Sequence, residues 1–148
     1  MSRAGWLLVA ASAVVVGAIA LGLFAVGTPG EARRDRLDMK RLEDLRMIAG
    51  TVAARQAFGA GHDELGMAAV ARTALQRTPD PGTGEGYRFR ARPGGAFELG
   101  ARFDGASRAA DLEPYERAWA HGAGDWWFVF GPRSGGLPDS GYAGPAAP

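Results

Sequence analysis

The chain has 148 residues, a net charge of +1, four tryptophans and no cysteine. So balanced a charge excludes the broad electropositive field with which nucleic-acid-binding chains gather their ligand. The missing cysteine excludes disulfides, thiolate metal sites, cysteine nucleophiles and a lipid-modified N-terminal cysteine.

Residues 1–5 form a short flank, and residues 6–26, WLLVAASAVVVGAIALGLFAV, form an apolar stretch; no charged residue falls between Arg3 and Glu31. Twenty-one residues in a helix rise roughly 31 Å, one hydrocarbon core. Trp6 stands at one end, where an indole suits a membrane interface. A cleaved signal peptide would be shorter in its apolar part and would use Ala25-Val26-Gly27 as its exit. A buried core helix would need a larger domain around it. The stretch is therefore expected to be a retained single-span anchor in the inner membrane. The flanking charges, Arg3 before and Arg33, Arg34, Arg36, Lys40 and Arg41 after, favour a cytoplasmic domain by the positive-inside rule, which weakens where a long domain follows the span.

Gly27-Thr28-Pro29-Gly30 is expected to end the span. Residues 31–77 then read as helical: Leu42, Leu45, Ala49 and Val52 recur at three- and four-residue spacing with Ile48 beside them. The interleaved Asp38, Arg41 and Asp44 are expected on a solvated face. Gly59-Ala60-Gly61 stops this helix, and Asp63 is placed to cap a second, Ala-rich one that runs to Arg77.

Residues 78–130 are expected to carry a small antiparallel sheet of about three strands, making the chain α+β. Tyr87, Phe89 and Ala91 alternate with Arg88, Arg90 and Arg92, and Phe97, Leu99, Ala101 and Phe103 alternate with Glu98, Gly100 and Arg102. A three-residue loop at Pro93–Gly95 pairs Ala91 with Phe97, Arg90 with Glu98 and Phe89 with Leu99, which puts every apolar residue on one face. Residues 105–124, interrupted by Pro114, read as a loop with one turn, and 125–130, DWWFVF, as a third strand. Residues 131–148 are rich in Gly, Pro, Ser and Ala and are expected to be a disordered tail.

No catalytic set stands out, so an enzyme is not expected, nor is a cofactor. His62 and His121 lack ligand spacing. Gly82-Thr83-Gly84-Glu85-Gly86 lacks a P-loop lysine and leads into a strand. Ser107 and Ser140 have no nucleophile-elbow context. Two candidate surfaces remain. Asp80, Thr83 and Glu85 offer oxygens to a small ligand or Ca²⁺, against the reading of Asp80 as a turn residue. Arg88, Arg90, Arg92 and Arg102 make a stripe for anionic headgroups or a carboxylate-bearing partner, against the reading of a plain solvent face. Trp119, Trp126, Trp127 and Phe130 are read as core and sheet edge rather than as a ligand platform.

This order of parts resembles the type IV pilins and the type II secretion pseudopilins. DPGTGEGYRFR, from Asp80, resembles the D-P-x-T-G-x-x-Y-x-Y segment of pilin-like and related uncharacterised bacterial envelope proteins. Arg41, Asp44, Leu45 and Ile48 are similar to that group's R-x-x-D-L-x-x-I pattern. The run FELGARF from Phe97 resembles its Y-E-L-C-A-x-F strand, and Trp119, His121, Gly124 and Phe128 its W-x-H-x-x-G-x-x-C-F ending. Gly100 and Trp127 stand where these relatives carry Cys. If those cysteines pair, the resemblance implies an oxidising, extracytoplasmic location for the domain. The single span, the helix continuing from it and the missing catalytic set lead to the expectation of a non-enzymatic envelope module with the bilayer and other envelope proteins as partners; the alternative is an extracytoplasmic domain that binds a small ligand or Ca²⁺ at the Asp80–Tyr87 loop. Pilin precursors carry an acid early in the apolar helix; none occurs here from Ala4 to Gly30, so pilin-like architecture is expected without pilin-like polymerisation.

Overall fold

The computed structural model describes residues 3–26, 29–59, 64–107 and 112–144. His62, Asp63 with its expected cap, Gly27 and Thr28 of the expected hinge, and residues 145–148 lie outside them. The chain divides into two units, Met1–Arg34 and Asp35–Pro148. The first holds helix α1 (Arg3–Val26). Its Val14, Val15, Val16, Ile19 and Leu21 stand exposed. Among the described residues, no helix is long and apolar enough to cross a membrane. The side chains of residues 3, 4, 7, 8 and 23–26 of this helix are not among those described.

Helix α2 (Pro29–Ala57) begins with proline at a position where a missing N–H costs nothing, and carries Glu31 in its first turn and Arg55 in its last, matching the helix dipole at both ends. Within the second unit α2 buries Leu45, Ile48, Ala49 and Val52, the stripe that the sequence periodicity predicts. Asp38, Arg41 and Asp44 are buried as well. This corrects the expectation of a solvated charged face. Positions 38, 41, 45, 48 and 52 follow one another at three and four residues, so the charges prolong the core stripe instead of opposing it. Helix α3 (Glu64–Arg77) runs back along α2: Gln56 near the end of α2 reaches Met67 near the start of α3, while Arg41 bonds Asp80 just beyond its end.

The sheet is an antiparallel meander of four strands in the order β1-β2-β3-β4: β1 (Arg88–Ala91), β2 (Phe97–Phe103), β3 (Gly124–Phe130) and β4 (Ser140–Ala143). The first hairpin has the expected register, with Phe89 opposite Leu99, Arg90 opposite Glu98 and Ala91 opposite Phe97. Its loop needs two consecutive residues with positive φ, and Gly94 (73°) and Gly95 (84°) provide them. A turn at Arg117–Trp119 occupies the expected loop.

The count of about three strands is corrected to four, and with it the disordered tail. Residues 131–144 form turns and β4, which pairs Tyr142 with Trp127 and Gly141 with Phe128.

One face of the sheet packs on the helices. Phe97, Leu99, Ala101 and Phe103 of β2 join Phe128 and Phe130 of β3, Leu45, Ile48 and Val52 of α2, and Met67 and Ala71 of α3 in one cluster. The Phe97 and Phe130 rings stack 4.6 Å apart at 8°. Trp119 tilts against Phe128 and Phe130 at 5.1 and 5.7 Å, which makes it core. Each large side chain buried here contributes about 1.5–3 kcal/mol of transfer free energy.

Candidate functional site

The polar centre of the domain is Arg41, 5% exposed. Its Nη1 donates to Asp38 Oδ1 and Asp104 Oδ2, both at 2.8 Å, and its Nε to Asp80 Oδ2 at 2.7 Å. These bonds join one helix to two loops that lie 39 and 63 residues further along the chain. Asp38 then accepts the backbone N–H groups of Asp104 and Gly105 at 3.0 and 2.8 Å, which fixes the exit of β2. Asp80 accepts those of Gly82 and Thr83 at 2.8 and 2.9 Å, an Asx-type turn that shapes the loop before β1. One turn along α2, Asp44 accepts the Tyr87 hydroxyl at 2.8 Å and pairs with Lys40 at 3.2 Å. Residues that sequence reading treats as separate patterns, Arg41 with Asp44 and Asp80 with Tyr87, thus converge on one network.

Electrostatics explain why this cluster stays charged inside the fold. Burial works against the Arg41 cation, but its bonds to Asp80, Asp104 and Asp38 outweigh that and raise its pKa. Burial likewise opposes ionisation of Asp80; the bonds from Arg41, Thr83 and Gly82 prevail and hold its carboxyl below the ordinary range. Tyr87 is pushed up, first by burial and then by donating to Asp44. A buried cation facing several carboxylates is costly to break from either side, because each lost partner strands a desolvated charge.

The proposed ligand loop is built into this network. Both Asp80 oxygens are engaged by Arg41 and by backbone N–H groups. Thr83 Oγ1 accepts the Glu85 N–H at 3.2 Å, and Glu85 is exposed. Among the described residues, no group of three His, Asp or Glu side chains is arranged to hold a metal ion. In this geometry Asp80 is a turn residue and a counter-ion.

The arginine stripe lies on the outer face of the sheet, as the alternation predicts, but it is folded onto its own strands. Glu98, 1% exposed, takes Arg92 Nη2 on Oε1; its Oε2 receives the Tyr142 hydroxyl at 3.2 Å and Arg90 Nη1 at 3.5 Å. Arg88 bonds Asp125 at 2.7 Å. The Arg90 and Arg88 guanidinium groups lie 4.1 and 5.2 Å from the Trp127 ring centroid, which is cation–π range. Trp127 donates from Nε1 to Gly144 O at 3.2 Å. Its indole lies across Gly100, where an added Cβ would come within 2.8 Å of the ring. Gly100 and Trp127 are direct cross-strand partners. Arg102, opposite Asp125 in the register, is exposed.

His121 and Ser107 line a recess beside Asp35 and Leu42, yet they do not form a nucleophile and base. The Ser107 hydroxyl donates to the His121 carbonyl and accepts its N–H, without touching the ring. The imidazole stacks on Phe103 with centroids 3.7 Å apart. Burial lowers its pKa, although the Gly122 carbonyl and the Asp38 charge oppose the shift. No protein-family model, curated protein sequence or solved structure matches this chain.

Proposed function

We propose that the protein is a single-pass, membrane-anchored envelope protein, held in the inner membrane by residues 6–26, whose domain acts outside the cytoplasm as a non-enzymatic interaction or structural module. The observation that carries the reading is the coincidence of the uncharged 21-residue sequence with one helix, Arg3–Val26. That helix is about 36 Å long at 1.5 Å per residue, the thickness of a hydrocarbon core with a margin for tilt. Val14, Val15 and Leu21 on it are 71%, 57% and 73% exposed, a costly arrangement in water and a favourable one in lipid. The described side chains alone fall short of a full span; the proposal rests on the whole stretch. The non-enzymatic part is supported by the use of the buried ionisable groups. Arg41, Asp38 and Asp80 are spent on one another and on the backbone, Asp44 on Tyr87 and Lys40, and Glu98 on Arg92, Arg90 and Tyr142, which suits a rigid module.

Flotation of membranes after an alkaline carbonate wash tests the anchor. The full-length chain of 15.5 kDa is expected to float; a shorter chain starting near Gly27, released from the membrane, would mark the stretch as a cleaved signal. Reporter fusions at the C-terminus, one active only outside and one only inside, test the side.

A further inference from the structure

The α2–α3 pair leaves one groove whose charge is one-sided. Its floor includes Ile48 and Val70, its wall the half-exposed Met47, and its lining has Arg55 and Arg77 with no acidic side chain. Neither arginine has an ion-pair partner among the described residues. Of the three hydroxyls in the lining, those of Thr51 and Thr73 donate to the carbonyls of Met47 and Ala69 on their own helices, and that of Thr78 lies beside Arg77 at the end of α3. The arginines are thus the charged groups left to meet a ligand.

Their spacing selects among ligands. With Gln56 beside Met67 and Arg41 beside Asp80, Arg77 sits level with residues near 45 of α2. Arg55 is then roughly ten residues, about 15 Å, further along the groove. That spacing is about two to three turns of a helix. A helix lying along the groove meets both with acids two to three turns apart while its apolar stripe covers Ile48, Val70 and Met47, the mode by which amphipathic helices seat in apolar grooves. We propose that this groove docks an acidic amphipathic helix of a partner protein, with Arg55 and Arg77 clamping carboxylates near its two ends.

The inference rests on the reading of the domain as an interaction module, and its test is separate from that of the anchor. The full-length protein, in neutral detergent micelles, is titrated with a fluorescent 18-residue helical peptide bearing one leucine face and glutamates seven and eleven residues apart. A lysine-for-glutamate twin serves as the comparison. Preferential binding of the acidic peptide is expected, weakened at least tenfold by Arg55→Glu with Arg77→Glu, which should in turn take up the basic twin. Equal binding of both peptides, binding unchanged in the double variant, or no binding would overturn the proposal. So would a groove filled by a second copy of the chain, seen as a dimer that the double variant dissolves. A chain that binds the acidic peptide yet fails to float with membranes would sink the anchor and leave the groove standing.

Discussion

At the scale of single residues, Arg41 has the largest expected effect. Arg41→Met removes the cation and leaves the Asp38, Asp80 and Asp104 carboxylates facing one another, two of them buried. A loss of about 3–5 kcal/mol in urea unfolding is expected, with Lys at the same position recovering only part of it, since one ammonium cannot span all three acceptors. Gly100→Ala should cost about 1–3 kcal/mol, because its Cβ would press into the Trp127 indole. Acid exposes two further residues in sequence. His121 has a folded pKa below its ordinary value of 6.5, so the unfolded chain protonates first, and stability present above pH 6.5 declines as pH falls through that value. Asp80 is also depressed, from 3.8, so its contribution is present above about pH 4 and is lost on further acidification. Thermal melts against pH should show both declines; His121→Gln should remove the first and Asp80→Asn the second.

At the scale of elements, the strength of the local pattern decided what could be read. The β1–β2 register was legible because alternation, loop length and the Arg90–Glu98 charges agree on one pairing. Strand β4 was not, since Ser140, Gly141 and Ala143 carry no strand signal and only Tyr142 hints at a partner. It forms because β3 offers an edge, and the Tyr142 hydroxyl reaches buried Glu98. The ionic network hid for another reason. Interleaved acids and arginines on a helix most often mean solvent, and the clue that Asp38 and Arg41 stand in register with Leu45, Ile48 and Val52 is visible only when the apolar stripe is extended backwards. Helix α2 also yields an element-scale prediction. Gly50 lies inside it with nothing within 4 Å of an added Cβ. Gly50→Ala should therefore stabilise the domain by about 0.5–1 kcal/mol through helix propensity alone, read as a higher urea midpoint at unchanged slope.

At the scale of the whole molecule, the two units differ in what they expose. Asp35–Pro148 closes an aromatic core and satisfies its buried charges internally, whereas the residues of α1 from Val9 to Gly22 are exposed and no acid or base lies between Arg3 and Glu31. Such a division is stable if lipid covers the first unit and water the second, and charge placed within α1 separates that case from a helix covered by protein. Val15 and Ile19 lie one turn apart on one face near the middle of the stretch. Val15→Asp with Ile19→Asp should cost about 5–7 kcal/mol of insertion free energy if that face meets hydrocarbon. The chain should then leave the floating membrane fraction, with folding of the domain, followed by tryptophan fluorescence, unaltered. Placing Asp at Gly5 and Gly30, where headgroups and water would lie, should leave flotation intact. Equal flotation of the central and terminal variants would mean that the helix never enters the bilayer, whatever its composition.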